Sequence, residues 1–214
     1  MKEITLIIAT SNKGKLKEFN EILAKEENVR VISAAEAGIT EMPEETGKTF
    51  LENAYIKAEA VYDILRKNKN ISEPYVVLAD DSGLCVDALD GQPGIFSARY
   101  AGDNATDEDN RIKLLHEIKD VPVGEKQAAF FCNIAAITNK GIKIDSFGRL
   151  SGIIVMKPEG DNGFGYDPIM YYPAKGITIA CMTADEKNEI SHRSKALKKI
   201  YILLKIYWKK EGLL

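Results

Sequence analysis

Short apolar segments alternate with amphipathic segments of helical period along the first half of the chain. The segments Ile4–Thr10 and Tyr75–Ala79 contain no charged residue and are typical of buried strands. Between them, apolar side chains recur every three or four positions at Leu16–Leu23 and again from about Thr49 to Lys67, which predicts two helices. A short strand is predicted at Val29–Ser33. This order predicts a mixed α/β protein whose sheet is neither purely parallel nor purely antiparallel.

The second half of the sequence is predicted to add several strands and then helix. The predicted strands are Leu84–Leu89, Gln127–Thr138, Ile142–Gly148 and Ser151–Lys157. A helix is predicted over Asp107–Lys119, with Thr106 as its N-cap. The pattern Thr183-x-x-Glu186 predicts a capping box, after which helix continues to Lys210 with a break near Ser191.

Composition and charge exclude several classes of protein. Of the 214 residues 45% are hydrophobic, and no segment approaches the roughly 18 consecutive apolar residues of a membrane span. No signal peptide is recognisable, so a cytoplasmic location is expected. The net charge of −3 gives no support for binding a nucleic acid polymer. A single domain over residues 1–214 is expected, built as one large unit or as two lobes that share a core.

The cysteines and histidines limit the metal chemistry that the chain can support. Cys85, Cys132 and Cys181 are odd in number and far apart, and only His116 and His192 accompany them. A disulfide framework and a zinc site are therefore not expected. Any metal is expected to be a hard cation bound by oxygen ligands.

A turn rich in hydrogen-bond donors joins the first predicted strand to the first predicted helix. It comprises Thr10, Ser11, Asn12, Lys13, Gly14 and Lys15. Free backbone N–H groups and the positive end of the helix dipole suit a phosphate at such a junction, and Lys15 could reach the same anion. The P-loop pattern is missing, and a turn followed by a solvated lysine is the alternative.

Two adjacent carboxylates follow the apolar strand Tyr75–Ala79. The sequence Asp80-Asp81-Ser82-Gly83 is expected to end this strand as a turn. Buried carboxylates are costly unless they are solvated or neutralised by a cation, and ligands of open α/β sheets bind outside the carboxyl ends of strands. These residues are therefore candidates for a ligand site, and the alternative is an Asp-rich turn that caps its own backbone.

Three further groups of residues could complete a nucleotide site. Glu44–Gly47 precedes the long predicted helix and could supply a third carboxylate, although acids at this position also complement the helix dipole. Lys57 lies on the same helix. The segment Asn162–Pro168 interleaves glycines with aromatic residues, which either stack on a base or pack inward. Lys187 and the cluster Ser191-His192-Arg193 could donate hydrogen bonds to carbonyl or phosphate oxygens. Carboxylates, cations and an aromatic loop together fit a nucleoside triphosphate.

Six blocks, in order along the chain, resemble the inosine/xanthosine triphosphate pyrophosphatase family, whose members hydrolyse deaminated purine nucleotides. The resemblance extends from about Ile4 to Leu203. The blocks are the turn from Ser11 to Lys15, Glu45-Thr46-Gly47-x-Thr49-Phe50-x-Glu52-Asn53-Ala54, Ala79-Asp80-Asp81-Ser82-Gly83-Leu84, Pro93-Gly94-Ile95-x-Ser97-Ala98-Arg99-Tyr100, Gly163-Phe164-Gly165-Tyr166-Asp167-Pro168 and Glu186-Lys187-x-x-Ile190-Ser191-His192-Arg193.

The resemblance implies a fold, a reaction and a set of site residues. The implied fold is an elongated mixed β-sheet flanked by helices, with two lobes around a central nucleotide-binding cleft, in a homodimer. The implied reaction is hydrolysis of ITP, dITP or XTP to the monophosphate and pyrophosphate with Mg²⁺. Glu45 and Asp81 are the implied metal ligands, and Asp81, Lys15 and Glu45 the implied catalytic residues. The implied substrate contacts are Thr10, Ser11, Asn12, Lys13, Gly14, Lys15, Lys57, Ser82, Phe164, Gly165, Tyr166, Asp167, Lys187, His192 and Arg193.

Hydrogen bonding at position 6 of the base would select for these purines. Hypoxanthine and xanthine carry a 6-oxo acceptor where adenine carries an amino donor. Donors from His192, Arg193 or backbone N–H groups would therefore pair with the oxo group, whereas adenine would leave these donors unpaired. Two other interpretations compete with this one. One is the Maf-like group of nucleotide pyrophosphatases, which acts on pyrimidine or modified nucleotides, and the other is a nucleotide sensor without turnover.

Overall fold

The computed structural model describes residues 3–24, 26–68, 71–72 and 74–214. Within these ranges it contains seven strands and five α-helices. The strands are β1 (Ile4–Ile8), β2 (Val29–Ser33), β3 (Tyr75–Val86), β4 (Gln127–Thr138), β5 (Lys143–Ile154), β6 (Met170–Tyr172) and β7 (Ile177–Thr178). The helices are α1 (Lys13–Leu23), α2 (Phe50–Asn68), α3 (Asp107–Glu117), α4 (Ala184–Ile190) and α5 (His192–Lys210).

The strands form one mixed sheet in the order β2-β1-β3-β4-β5-β6-β7. Strand β1 is parallel to both β2 and β3, whereas β6 is antiparallel to both β5 and β7. The parallel pairs need crossover connections, which α1 and α2 provide, while short turns suffice for antiparallel neighbours. The predicted mixed α/β sheet flanked by helices is confirmed.

The chain divides into two compact units. Unit 1 comprises Met1–Asp81, Asn133–Phe147 and Lys195–Leu214. In this unit one face of α2 packs on the sheet, because its apolar residues recur at helical spacing. The core formed there contains Ala54, Ala58, Val61 and Leu65 of α2 with Ile7, Val77 and Ile137 of the strands.

Unit 2 comprises Ser82–Cys132 and Gly148–Ser194. Its core combines residues of α3 with residues of the long strands β3, β4 and β5. It contains Leu84, Val86, Leu114, Ile118, Phe130, Leu150, Tyr166 and Ile169. Helix α3 begins at a capping box in which Thr106 and Asp109 each accept from the other's backbone N–H, as Thr106 was expected to do. None of the described helices is long and apolar enough to cross a bilayer.

The predicted turn at Asp80–Gly83 is wrong, because β3 continues through these residues to Val86. Asp80 and Asp81 are both buried inside the strand. A strand can carry two adjacent acids there because cationic and amide side chains of α1 and α2 contact them, as described below. The predicted second strand at Leu84–Leu89 is correspondingly the end of β3, followed by a short 3₁₀ turn at Asp87–Leu89.

The two strands predicted at Ile142–Gly148 and Ser151–Lys157 are also one strand, β5. Its residues alternate between exposed and buried positions across Gly148 and Arg149, so the polar residues that suggested an interruption lie on the outer face of a continuous strand. The hairpin turn at Asn139–Gly141 is confirmed, with the Thr138 N–H donating to the Ile142 carbonyl. The helix break at Ser191 is confirmed as the boundary between α4 and α5.

Candidate active site

Unit 1 contains a cluster of two lysines and three carboxylates. We call Lys15, Glu45, Lys57, Asp80 and Asp81 the carboxylate–lysine cluster. Lys15 Nζ lies 3.2 Å from Asp80 Oδ2. Lys57 Nζ lies 2.6 Å from Glu45 Oε1 and 3.6 Å from Asp81 Oδ1. The sequence predicted each of these residues as a candidate. Their contacts form two groups, Lys15 with Asp80 and Lys57 with Glu45 and Asp81, which are joined through the adjacent acids of β3.

The alternation of β3 explains how two adjacent acids find separate partners. Successive side chains of a strand point to opposite faces, so Asp80 and Asp81 diverge. Asp80 contacts a lysine of α1, and Asp81 contacts a lysine of α2. Each carboxylate is therefore compensated by the helix on its own side, which offsets much of the cost of its burial.

Burial and charge change the proton affinities in this cluster. Burial raises the pKa of the Asp81 carboxyl above its usual range, against the charges of Lys57 and Lys15, which favour the carboxylate. Burial alone would lower the pKa of Lys57, but the charges of Asp81, Asp80 and Glu45 outweigh it and raise that pKa. Lys57 therefore stays cationic at neutral pH, and Asp81 binds a proton more readily than a solvated aspartate.

The junction between β1 and α1 forms a capped helix N-terminus. Asn12 is the N-cap, and its Oδ1 accepts from the Lys15 backbone N–H at 3.0 Å. The Asn12 N–H donates to Thr10 Oγ1 at 3.2 Å, while Ser11 and Lys13 are exposed. The first turn of α1 carries no acid, so the positive end of its dipole is not offset. This arrangement suits an anion, as the sequence predicted for Thr10–Lys15.

Unit 2 contains a second group of predicted residues, which we call the aromatic–cation cluster: Ser82, Phe164, Asp167, Lys187 and Arg193. The Lys187 ammonium lies 4.8 Å and the Arg193 guanidinium 5.8 Å from the centroid of the Phe164 ring. Lys187 Nζ also contacts Asp167 Oδ2 at 2.6 Å, and Arg193 Nη2 donates to Ser82 Oγ at 2.8 Å. The cluster offers one aromatic ring beside two cationic donors.

The loop that carries Phe164 is shaped by its glycines and by a buried acid. Asp167 Oδ2 accepts from the Phe164 N–H at 3.0 Å, which closes the loop on itself. A Cβ at Gly163 would lie 2.1 Å from that same oxygen, so only glycine fits. Residues of α3 hold Gly165: its N–H donates to Asp107 Oδ2, and its carbonyl accepts from Arg111 Nη1, each at 2.7 Å.

Two predicted contact residues have structural partners in unit 2. Tyr166 is buried in the core, and its hydroxyl donates to the Ser97 carbonyl at 2.9 Å. The His192 ring stacks on Phe130 at 4.9 Å between centroids and is 6% exposed. Tyr166 therefore anchors the loop to the core, and stacking on Phe130 fixes the plane of the imidazole next to Arg193 in the chain.

Two carboxylates of unit 1, those of Glu45 and Asp81, could take part in holding a hard cation. Glu45 and Asp81 each direct an oxygen at one positive centre, the Lys57 ammonium, so their oxygens converge on a cation. Over the described ranges, no group of three or more His, Cys, Asp or Glu side chains could hold a metal. Mg²⁺ commonly takes one or two carboxylates and completes its shell with waters and substrate phosphates. The donor set suits an ion that binds together with a nucleotide.

Sequence reasoning missed the residues that support both clusters. Asn53 donates to Asp81, and Arg111 and Asp107 hold the backbone of Gly165. Asn53 stands in the block Glu52-Asn53-Ala54, but its type gives no signal of a contact 28 residues away. The two α3 residues look like ordinary helix-surface charges, since only tertiary structure brings the loop to them.

Comparison with known proteins gives consistent matches. Residues 6–202 match the sequence model of the Ham1 family. A dITP/XTP pyrophosphatase of Clostridium perfringens is 48% identical over 194 residues, which is 91% of this chain and 94% of that protein. A dITP/XTP pyrophosphatase of Bacillus subtilis is 48% identical over 205 residues, 95% of this chain and 98% of the relative.

Solved structures with the same fold include two Ham1 proteins. The Coxiella burnetii HAM1 protein superposes with a TM-score of 0.81 at 38% identity, covering 94% of this chain and 98% of its own. The Staphylococcus aureus Ham1 protein has a TM-score of 0.79 at 39% identity, with the same coverage. The similarity therefore extends over nearly the whole length of both chains.

Proposed function

This chain belongs to the Ham1 family, and we propose on that premise that it hydrolyses non-standard purine nucleoside triphosphates. Its relatives in Clostridium perfringens and Bacillus subtilis are dITP/XTP pyrophosphatases. The products are the nucleoside monophosphate and pyrophosphate, so ITP, dITP and XTP leave the nucleotide pool. The protein is thus a hydrolase of phosphoric anhydrides that acts in nucleotide metabolism.

The observation that carries the proposal is the carboxylate–lysine cluster. Hydrolysis between the α and β phosphates needs a proton acceptor for the attacking water and positive charge near the leaving pyrophosphate. Asp81, with its raised pKa, supplies the first, and Lys15 and Lys57 supply the second. An ion pair that served only stability would need neither two adjacent acids nor a capped helix N-terminus beside Lys15.

We assign the steps to residues of this chain. Asp81 accepts the proton of a water whose oxygen forms a bond to the α-phosphorus, while the bond from this phosphorus to the bridging oxygen breaks. Lys15 and donor groups of the turn Thr10–Gly14 bind phosphate oxygens, and Lys57 offsets the charge that develops on pyrophosphate. Glu45 and Asp81 would hold Mg²⁺, which neutralises phosphate charge when bound.

Unit 2 supplies groups suited to the base. The Phe164 ring offers a stacking face, and Lys187, His192 and Arg193 offer donors for a 6-oxo group. An amino group at position 6 would leave such donors unpaired, which can cost a competing substrate up to about 10⁴-fold in kcat/KM. Ser82, Gly165, Tyr166 and Asp167 keep these groups in place through the hydrogen bonds described above.

The test is pyrophosphate release with Mg²⁺ from ITP, XTP, dITP, GTP, ATP and UTP. We expect strong release from the first three and little from the others. Preference for UTP would instead assign the Maf-like activity. Nucleotide binding without any release would assign a sensor and contradict the catalytic role of Asp81.

We also propose that the protein is a homodimer in the cytoplasm. Both features are supported by the resemblance of the six sequence blocks to the pyrophosphatase family. Light scattering during size-exclusion chromatography tests the first, with a mass of about twice 23.7 kDa expected. Cell fractionation tests the second.

A further inference from the structure

Asn53 links the two segments that carry the acids Glu45 and Asp81 in unit 1. Its side chain is completely buried. Its Nδ2 donates to Asp81 Oδ2 at 3.0 Å, and its Oδ1 accepts from the backbone N–H of Gly47 at 2.8 Å. Gly47 lies two residues after Glu45, so one amide ties the Glu45 segment to the Asp81 carboxylate.

Lys57 makes a second link between the same segments, one turn further along α2. Asn53 and Lys57 are four residues apart and therefore lie on the same face of the helix. Lys57 faces Asp81 Oδ1, whereas Asn53 faces Asp81 Oδ2. Because the two carboxylate oxygens have different partners, the rotation of the carboxylate plane is fixed.

The backbone at Gly47 is fitted closely to this amide. A Cβ at this position would lie 2.6 Å from Asn53 Oδ1 and 2.8 Å from Glu52 Cβ. These distances are shorter than non-bonded atoms tolerate, so an alanine there would have to displace the Asn53 side chain or the Glu45 segment.

The chemistry of the position suits a neutral amide. The group must donate to a carboxylate and accept from an N–H at the same time, which a carboxylate, an ammonium or a methyl group does not do. Among amides, glutamine is one methylene longer and does not fit a fully buried site without rearrangement. Asparagine therefore satisfies both partners with one short side chain.

We propose that Asn53 is a positioning residue that orients the Asp81 carboxylate and holds the Glu45 segment, so that both acids direct an oxygen at one cation. This inference rests on the proposed function, but Asn53 acts only through Asp81 and Gly47. Removing supporting hydrogen bonds of metal ligands typically costs about 10- to 100-fold in metal affinity or activity.

The experiment compares Asn53→Ala with a matched control, Asn110→Ala. Asn110 is also a buried asparagine with two bonds: its Oδ1 accepts from the Ala101 N–H at 2.7 Å, and its Nδ2 donates to the Ala98 carbonyl at 3.2 Å. It lies in unit 2 and contacts no acid of the cluster. Both variants lose two buried hydrogen bonds, so a general loss of stability affects both.

Two readouts separate positioning from folding. The first is Mn²⁺ binding to the nucleotide-free protein, followed by electron paramagnetic resonance. The second is ITP hydrolysis at saturating Mg²⁺, resolved into kcat and KM. For Asn53→Ala we expect Mn²⁺ affinity and kcat to fall at least about tenfold, with KM for ITP within about threefold of the parent value. For Asn110→Ala we expect Mn²⁺ affinity to stay unchanged.

Equal Mn²⁺ affinities for the parent and Asn53→Ala would overturn the proposal, because the residue would then be structural only. If Asn53→Ala does not fold, Gly47→Ala tests the same hydrogen bond from its backbone partner. We expect this variant to bind Mn²⁺ more weakly than the parent, and an unchanged Mn²⁺ affinity would contradict the proposal. If the parent protein releases no pyrophosphate, the proposed function fails, while Mn²⁺ binding still tests the role of Asn53.

Discussion

The two clusters are built by different means. Four residues of the carboxylate–lysine cluster stand on regular elements and only Glu45 lies in a loop, and the charges compensate one another at short range. The aromatic–cation cluster depends on a glycine-containing loop that Asp167 closes on itself and that Asp107 and Arg111 of α3 hold from outside. Under the proposed function, the first cluster acts on the phosphates, whereas the second combines a stacking ring on an anchored loop with donors to the base on α4 and α5.

Replacing Asp81 should have the largest effect and tests the chemical side of this division. Asp81→Asn keeps an oxygen that can accept from Asn53 Nδ2 but removes the proton acceptor and its negative charge. We expect pyrophosphate release from ITP to fall by about 10³-fold or more, equivalent to about 4 kcal/mol of barrier. Thermal unfolding should show an intact fold, and turnover within about tenfold of the parent would remove Asp81 from this role.

Replacing Asp167 tests whether the loop of unit 2 depends on its buried anchor. Asp167→Ala removes the carboxylate that pairs with the buried Lys187 ammonium and that accepts from the Phe164 N–H. We expect the free energy of unfolding to fall by about 3 kcal/mol in urea titrations. As a control, Glu59→Ala breaks the exposed Lys143–Glu59 pair and should cost less than about 1 kcal/mol. Similar losses for both variants would mean that the loop does not depend on Asp167.

Replacing His192 sharpens the substrate-choice side of the comparison. His192→Ala should lower kcat/KM for ITP by about tenfold, which is equivalent to losing a hydrogen bond of about 1.4 kcal/mol to the base. The decrease for ATP should be smaller. The control is Phe130→Leu, which removes the ring on which His192 stacks and keeps the imidazole. Equal losses for ITP and ATP in His192→Ala would indicate a role in phosphate binding or folding.

The smallest expected effect concerns the capping box that begins α4, the helix that carries Lys187. The Thr183 backbone N–H, the Lys175 ammonium and the Thr183 hydroxyl lower the pKa of Glu186 from 4.5 to about 2. A lowered pKa in the folded state stabilises the protein above the unfolded-state pKa, and the gain disappears as pH falls from about 4.5 toward 2. Glu186→Gln should therefore reduce stability more near neutral pH than near about pH 3, where only part of the gain remains.

Urea unfolding of the parent and Glu186→Gln at both pH values measures this difference. Because Glu186 is solvent-exposed, added salt should shrink it further. A stability difference that does not change with pH would show that the carboxylate charge contributes nothing to the cap.

Several elements and site residues could be predicted because their signals are local. The strand at Val29–Ser33, the Thr106 cap of α3 and the break at Ser191 follow from patterns of apolar residues and from capping chemistry within a few positions. The candidate residues Lys15, Glu45, Lys57 and Asp81 could be named because charged groups beside apolar segments are unusual. Their contact with one another is what the structure adds.

The errors at Asp80–Gly83 and Gly148–Ser151 have one cause. In both cases polar residues inside a strand resemble a turn. The partners of Asp80 and Asp81, such as Lys15 and Asn53, lie far away in sequence, whereas Arg149 and Ser151 lie on the exposed face of β5. The same reasoning applies to Tyr166, whose hydroxyl bonds to Ser97, 69 residues away. Propensity cannot predict such contacts, because they depend on which elements pack together.

The sequence by itself determined the type and order of most elements, the mixed character of the sheet and the residue types available for phosphate chemistry, because periodicity and capping act over a few residues. Only the tertiary structure decided that β3 continues through two buried acids, that Asn53 bridges Gly47 to Asp81, and that α3 holds the Gly165 loop. Each of these depends on side chains from distant segments meeting within hydrogen-bond distance, where the energy of a buried charge is set by its neighbours in space rather than in sequence.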